Sequence, residues 1–151
     1  MEQADLPRCG EPATALDAAP GPLVVTASFP PVVVRRGDGT FTGTVTITAA
    51  TGPVTGVMSP YADVYVAHSG TVVATPLVKD LLGVPVRLSP GAGHDLAARG
   101  SIRACADPGA GPAARPMLPP GRYDVFTVVA VTDEAGHTIV ASGGPWPIVV
   151  A

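Results

Sequence analysis

Asparagine is absent from this chain of 151 residues, and lysine occurs once, as Lys79. Without asparagine there is no N-glycosylation acceptor. Charged residues make up 14% and the formal net charge is −3. The nine basic residues are scattered, Arg35-Arg36 being the nearest pair. A basic patch interleaved with aromatics is therefore missing, which excludes the electrostatic footprint of a nucleic-acid binder. No stretch approaches the ~18 consecutive apolar residues of a membrane-spanning helix.

Motifs that carry chemistry are also lacking. There is no GxSxG elbow, no HExxH and no CxxC, and the three histidines, His68, His94 and His137, share no ligand spacing. Gly91-Ala92-Gly93 and Gly109-Ala110-Gly111 do not sit between a strand and a helix start, so they read as turns rather than phosphate loops. Asp38, Asp133 and Glu134 fall in turns without a DxDxDG-like cluster and read as solvated carboxylates rather than calcium ligands. The expectation is a protein that is not an enzyme, with no catalytic residue, cofactor or metal.

What is abundant is turn punctuation between apolar runs. Glycine and proline number 18 each, yet hydrophobic residues reach 46%. Low charge with that much apolar surface argues for an ordered core rather than a disordered chain. The bias towards Ala, Val, Gly, Pro and Arg fits a GC-rich genome such as that of an actinobacterium.

Two cysteines, Cys9 and Cys105, are even in number and too far apart for a zinc or redox motif. The expected outcome is one long-range disulfide, the alternative being two unrelated buried thiols. On the chain-entropy model such a bridge stabilises by about 4 to 5 kcal/mol. Disulfides persist in oxidising compartments, so the protein is expected to be extracellular or on the cell surface. Met1-Glu2-Gln3-Ala4-Asp5 is too polar to open a signal peptide, which leaves a cytoplasmic protein or the mature region of an exported one; the cysteines favour the second, with the leader removed.

Residues 1–20 show no period and read as an extended N-terminal tail, with residues 21–151 as the body. Leu23–Ala27 and Val32–Arg35 flank Pro30-Pro31 and read as a first strand broken by prolines at a sheet edge. In Thr40–Ala49, Phe41, Val45, Ile47 and Ala49 alternate with five threonines, the pattern of a strand with one solvated face. Thr51–Pro60 reads as a loop, and Tyr61–Ala67 with Thr71–Thr75 as a hairpin. Leu77–Gly83 is the one candidate for a helical turn. Val84–Leu88 and the stretch ending at Cys105 read as strands, and Asp107–Pro116 as a loop. A last hairpin joins Tyr123–Thr132 to His137–Ala141, and Pro145-Trp146-Pro147 leads into Ile148–Val150.

Leu118-Pro119-Pro120-Gly121-Arg122-Tyr123, followed by the valine-rich Asp124–Val131, has the form of a tyrosine corner. There the Tyr hydroxyl ties a turn to the strand it opens in an immunoglobulin-like sandwich. The fold expected is therefore all-β, an immunoglobulin-like antiparallel β-sandwich of about 8 to 10 strands. In antibody-type domains a cysteine follows the corner tyrosine by two residues; here that position is Val125. On the corner strand Phe126 and Val128 fall on the outward side, which points to a covered face.

Val64-Tyr65-Val66 with Gly70-Thr71-Val72-Val73, then Leu88-Ser89-Pro90-Gly91, then Leu118 to Val125 is similar to bacterial immunoglobulin-like domains of the BsuPI proteinase-inhibitor type. The resemblance implies inhibition of a serine protease but brings no reactive-site motif onto any residue here; on that reading the exposed loop Asp107–Pro116, with Arg115, is the one expected to block a protease. The favoured reading is a secreted or cell-surface non-catalytic module for protein interaction or structure, a subunit of a surface assembly whose tail pairs with a neighbour's sheet edge. Trp146, Phe126, Tyr61 and Tyr65 form the candidate binding patch. A protein partner or self-association is expected, with no nucleic acid and no membrane span. A carbohydrate ligand for a Pro-flanked tryptophan is the remaining alternative.

Overall fold

The computed structural model describes residues 5–78, 82–105 and 115–151. Among them a short 3-10 turn, Ala13–Leu16, precedes ten strands. These are β1 (Leu23–Ser28), β2 (Val32–Val33), β3 (Thr40–Ala49), β4 (Val54–Met58), β5 (Tyr61–His68), β6 (Thr71–Ala74), β7 (Val84–Leu88), β8 (His94–Ser101), β9 (Gly121–Asp133) and β10 (Thr138–Val150).

The strands make an all-β immunoglobulin-like sandwich. One layer is β1–β3–β8, and the other runs β2–β10–β9–β5–β6, with β4 pairing β9 beyond β5 and carrying β7. Most pairings are antiparallel, but β2 runs parallel to the end of β10. Tyr61 and Ala62 of β5 pair parallel with Ala97 and Ala98 of β8 before β5 continues beside β9 from Asp63. That short contact joins the two layers.

The proline break expected in the first strand is a change of layer. β1 pairs with β3, and after Phe29-Pro30-Pro31 the chain resumes as β2 beside β10. Proline has no N–H for a ladder, so a crossover placed there leaves fewer backbone donors unpaired.

The main core lies between the layers, and the alternation along β3 feeds it. Phe41, Val45, Ile47 and Ala49 are buried, while Thr42 and Thr44 are exposed. Tyr123, Val125, Val129 and Val131 of β9 and Ile148 and Val150 of β10 face them. The corner forms as expected: the Tyr123 hydroxyl donates to the Pro119 carbonyl at 2.7 Å.

A second apolar cluster lies on the other side of the β9 layer. Tyr65, Ala67, Val72, Phe126, Val128 and Val140 are buried there against Ala13 and Leu16 of the N-terminal segment. The outward apolar pair on β9 is thus covered, and the cover is the chain's own beginning. The Gly10 N–H donates to the Val72 carbonyl at 2.9 Å, the Val72 N–H to the Glu11 carbonyl at 2.9 Å, and the Ala13 N–H to the Gly70 carbonyl at 2.8 Å. Residues 10–13 therefore lengthen the β6 edge of this same molecule. Cys9 and Cys105 form the disulfide, with Cα atoms 5.9 Å apart and a sequence separation of 96. Cys105 is seated by its own N–H donating to the Val73 carbonyl at 2.8 Å.

Candidate functional site

One end of the β2/β10 edge combines exposed apolar side chains, open backbone and positive charge. Val32 lies opposite Val149, and Val33 opposite Val150. The bonds joining the strands run from the Val149 N–H to the Pro31 carbonyl (2.8 Å), from the Ala151 N–H to the Val33 carbonyl (2.9 Å) and from the Arg35 N–H to the Ala151 carbonyl (3.0 Å). Alternation then sends Val33 and Val150 into the core and leaves Val32, Val34 and Val149 outside, at 51%, 50% and 38% exposure. Because Pro31, Val33 and Arg35 bond to β10, the backbone groups of Val32 point to the open side of the sheet. An open groove of about 430 Å³ lies between this edge and Thr40–Thr42 of β3, with Phe41 in its lining.

Arginines rim the same end. Arg35 and Arg36 follow β2 and are exposed, and Arg122 is paired opposite Val149. Arg103 donates through Nε to the Asp38 carbonyl (2.9 Å) and through Nη1 to the Arg115 carbonyl (2.9 Å), drawing two turns together. Asp38 is the nearby counter-charge. Hydrogen bonds from the Thr40 hydroxyl and N–H hold its carboxyl below the usual range, and the Arg99 guanidinium, 3.7 Å away, adds to the effect.

The four aromatics expected to share a patch are apart. Tyr65 and Phe126 are cross-strand neighbours, both buried beneath the N-terminal segment. Burial, with the negative charge of Asp63 added, pushes the Tyr65 hydroxyl up to about 12. Trp146 is half-buried against the main core and tilts over Phe29 at 6.1 Å, while Phe29 meets Phe41 edge-on at 5.9 Å. These three rings plug the sandwich at the layer crossover. Tyr61 is half exposed where β5 passes between layers, in an open groove of about 370 Å³ with Asp63, Arg99 and Leu77.

Arg115 is half-buried, its Nε sealed from solvent without a hydrogen-bond partner among the described residues. Residues 107–114 of the proposed inhibitory loop lie outside the described residues, as do 79–81 of the candidate helical turn. The histidines are dispersed: His68 lies 5.3 Å from the Tyr123 ring, His94 opens β8, and His137 sits 3.6 Å from Asp133 in the last hairpin. Asp38 lies at the end where β9 begins, and Asp133 and Glu134 at the end where it closes. Among the described residues no group of three or more His, Cys, Asp or Glu is placed to hold a metal, and no helix is long and apolar enough to cross a membrane.

Two features of this surface escaped the sequence reading. The valine edge was hidden in Val32-Val33-Val34, where one inward valine obliges the other two to face out. The cover over Phe126 was hidden in Ala13–Leu16, whose spacing of three marks one side of a single turn.

No family model matches the chain, and no curated protein matches it. Among solved structures it is similar to the CARDB domain of a Pyrococcus furiosus protein in complex with di-metal ions, at 16% identity and a TM-score of 0.41, over 85% of this chain and 87% of that one. It is also similar to a Listeria innocua beta-glucosidase in complex with laminaribiose, at 13% identity and a TM-score of 0.42, over 85% of this chain but 16% of the glucosidase. A third is the Pseudomonas fluorescens alkylpurine DNA glycosylase AlkC bound to DNA, at 17% identity and a TM-score of 0.43, over 92% of this chain and 33% of the glycosylase. None is close enough to carry an argument about activity. The immunoglobulin-like assignment rests on the strand order and the Tyr123 corner.

Proposed function

We propose that the protein is a secreted or cell-surface module, non-catalytic, that takes part in a bacterial surface assembly by binding a protein partner. The observation that carries this reading is the β2/β10 edge, where Val32, Val34 and Val149 are half exposed beside an open strand edge and a rim of Arg35, Arg36 and Arg122. Exposed apolar side chains on an unpaired strand edge are what strand addition by a partner uses: backbone bonds give affinity, and alternate side chains give selectivity. The arginines favour an acidic surface and speed encounter with it. The Cys9–Cys105 bridge supports an oxidising location.

Site-specific photo-crosslinkers placed at Val34 and Val149 in the native cell test this directly. A discrete adduct is expected at both positions and not at Thr44 on the opposite layer. Absence of any adduct at the two valines would overturn the reading, and recovery of the protein only from the cytoplasmic fraction would overturn its location.

Inhibition of the BsuPI type finds less support. It needs an arginine presented to a protease, and Arg115 is half-buried with its carbonyl held by Arg103. Stoichiometric loss of activity in a serine-protease panel would restore it. A sugar platform on Trp146 asks for an open ring face, whereas this ring is packed against Phe29.

A further inference from the structure

The N-terminal segment is held by a small, separable set of contacts. Residues 9–16 make three backbone hydrogen bonds to Gly70 and Val72, one disulfide to Cys105, and one apolar insertion in which Ala13 and Leu16 are buried against Phe126 and Val140, with Leu6 just ahead of them packed on the same cluster. The span from Asp17 to Pro22 that ties the segment to β1 is exposed at every residue. Its end is fixed where the Ala50 N–H donates to the Pro22 carbonyl at 2.9 Å. A groove of about 300 Å³ separates Ala19–Leu23 from Thr138–Ser142 of β10, so the span bridges the sandwich side without filling it. Six extended residues reach at most about 20 Å, enough to carry the segment away from its own seat.

We propose that residues 9–16 are an exchangeable arm, and that the seat formed by Tyr65, Phe126, Val128, Val140 and the β6 edge accepts the arm of a second copy of this chain. The second copy is the fitting occupant because its arm reproduces every contact of the intramolecular arrangement. Exchange changes the connectivity but not the interface, which makes it a low-cost route to a dimer. The seat cannot stand empty at no cost, since it would expose a contiguous apolar face and an unpaired strand edge.

The covalent tie permits the same exchange. Cys9 is exposed, so a low-molecular-weight thiol has access to the bond. Its thiolate attacks the Cys9 sulfur, the S–S bond breaks, and Cys105 leaves as a thiolate that takes up a proton. The second copy is opened in the same way by a second small thiol, and each Cys105, as thiolate, then attacks the Cys9 sulfur of the other copy's mixed disulfide, so that two small thiols enter and two are released. Two intrachain disulfides become two interchain disulfides, with no net oxidation or reduction.

Heavy-isotope and natural-abundance copies of the unaltered chain, mixed at high concentration in a glutathione redox buffer, test the proposal. A fraction of twice the chain mass is expected by light scattering, and its Cys9–Cys105 linked peptides should include mixed heavy–light pairs at the proportion random pairing gives. Linked peptides that are only all-heavy or all-light, in every fraction, would overturn it. In Leu16→Asp the arm cannot seat, and the mixed peptide is expected to fall ~10-fold or more. Its persistence at the unaltered level, with Trp146 fluorescence showing a folded body, would also overturn the proposal. Crosslinks at Val34 and Val149 do not depend on the arm, so this test can fail while the proposed function stands, and the reverse.

Discussion

The Tyr123 hydroxyl closes a turn through a 2.7 Å bond to the Pro119 carbonyl, four residues back, while its ring sits in the core. Tyr123→Phe keeps the ring and removes the bond, so a loss of about 1 kcal/mol is expected by denaturant unfolding; an unchanged midpoint would show that the corner owes nothing to it. Gly43 presents a steric case. A Cβ there would run into the Phe29 ring, which is wedged between Phe41 and Trp146 and cannot retreat freely. Gly43→Ala should cost about 1 to 3 kcal/mol, read as a lower melting midpoint. Tyr65 supplies a pH signature. Its folded value of about 12 exceeds the usual 10.0 because burial disfavours the phenolate and Asp63 repels it. The stabilisation is complete below pH 10 and is lost as pH rises towards 12. Unfolding free energy measured across that interval should fall, and Tyr65→Phe should make the fall shallower.

Among the elements, the arm is the one whose removal separates the two apolar clusters. Leu16 belongs only to the outer cluster, so Leu16→Ala is expected to raise amide exchange in β6 and along the Tyr65–Phe126 pairing. The β3–β8 ladder should keep its protection; uniform loss of protection would show that the two clusters unfold as one. The same element was the hardest to read beforehand. The pattern of β3 was legible because one face meets the core and the other meets water, and the bounds Thr40–Ala49 coincide with the alternation. The hairpin of β5 and β6 was legible from His68-Ser69-Gly70, and the corner from Pro119 to Tyr123. β4 was not: Val54–Met58 looks like a loop because Gly56 interrupts it, yet that glycine is where β4 and β9 approach too closely for a side chain, against the Thr132 carbonyl. Two aromatics of the candidate patch, Tyr65 and Phe126, are buried for a related reason. Aromatic side chains mark either a docking surface or a packed one, and which of the two holds for Phe126 depends on a segment more than a hundred residues away.

The whole molecule is a sandwich with an arginine-rimmed edge, a threonine-bearing layer and one covalent tie across most of its length. That tie constrains the unfolded chain across a separation of 96 residues. Reduction, or Cys9→Ser with Cys105→Ser, is expected to lower the melting midpoint by about 10 °C, as followed by calorimetry. A shift of a degree or less would mean that the folded body is indifferent to the arm.

The position of Cys105 has a mechanical meaning as well. A pull applied between the two ends of the chain enters at the arm, passes through the sulfur atoms to Cys105 and so bypasses β1 to β8. Only the stretch that contains β9 and β10 bears the load, and its last residues are clasped by β2, which the bypass holds in place. The bridge turns a sandwich into a short tether with a locked body: under tension it can pay out the corner strand and the C-terminal strand, but not the eight strands before them.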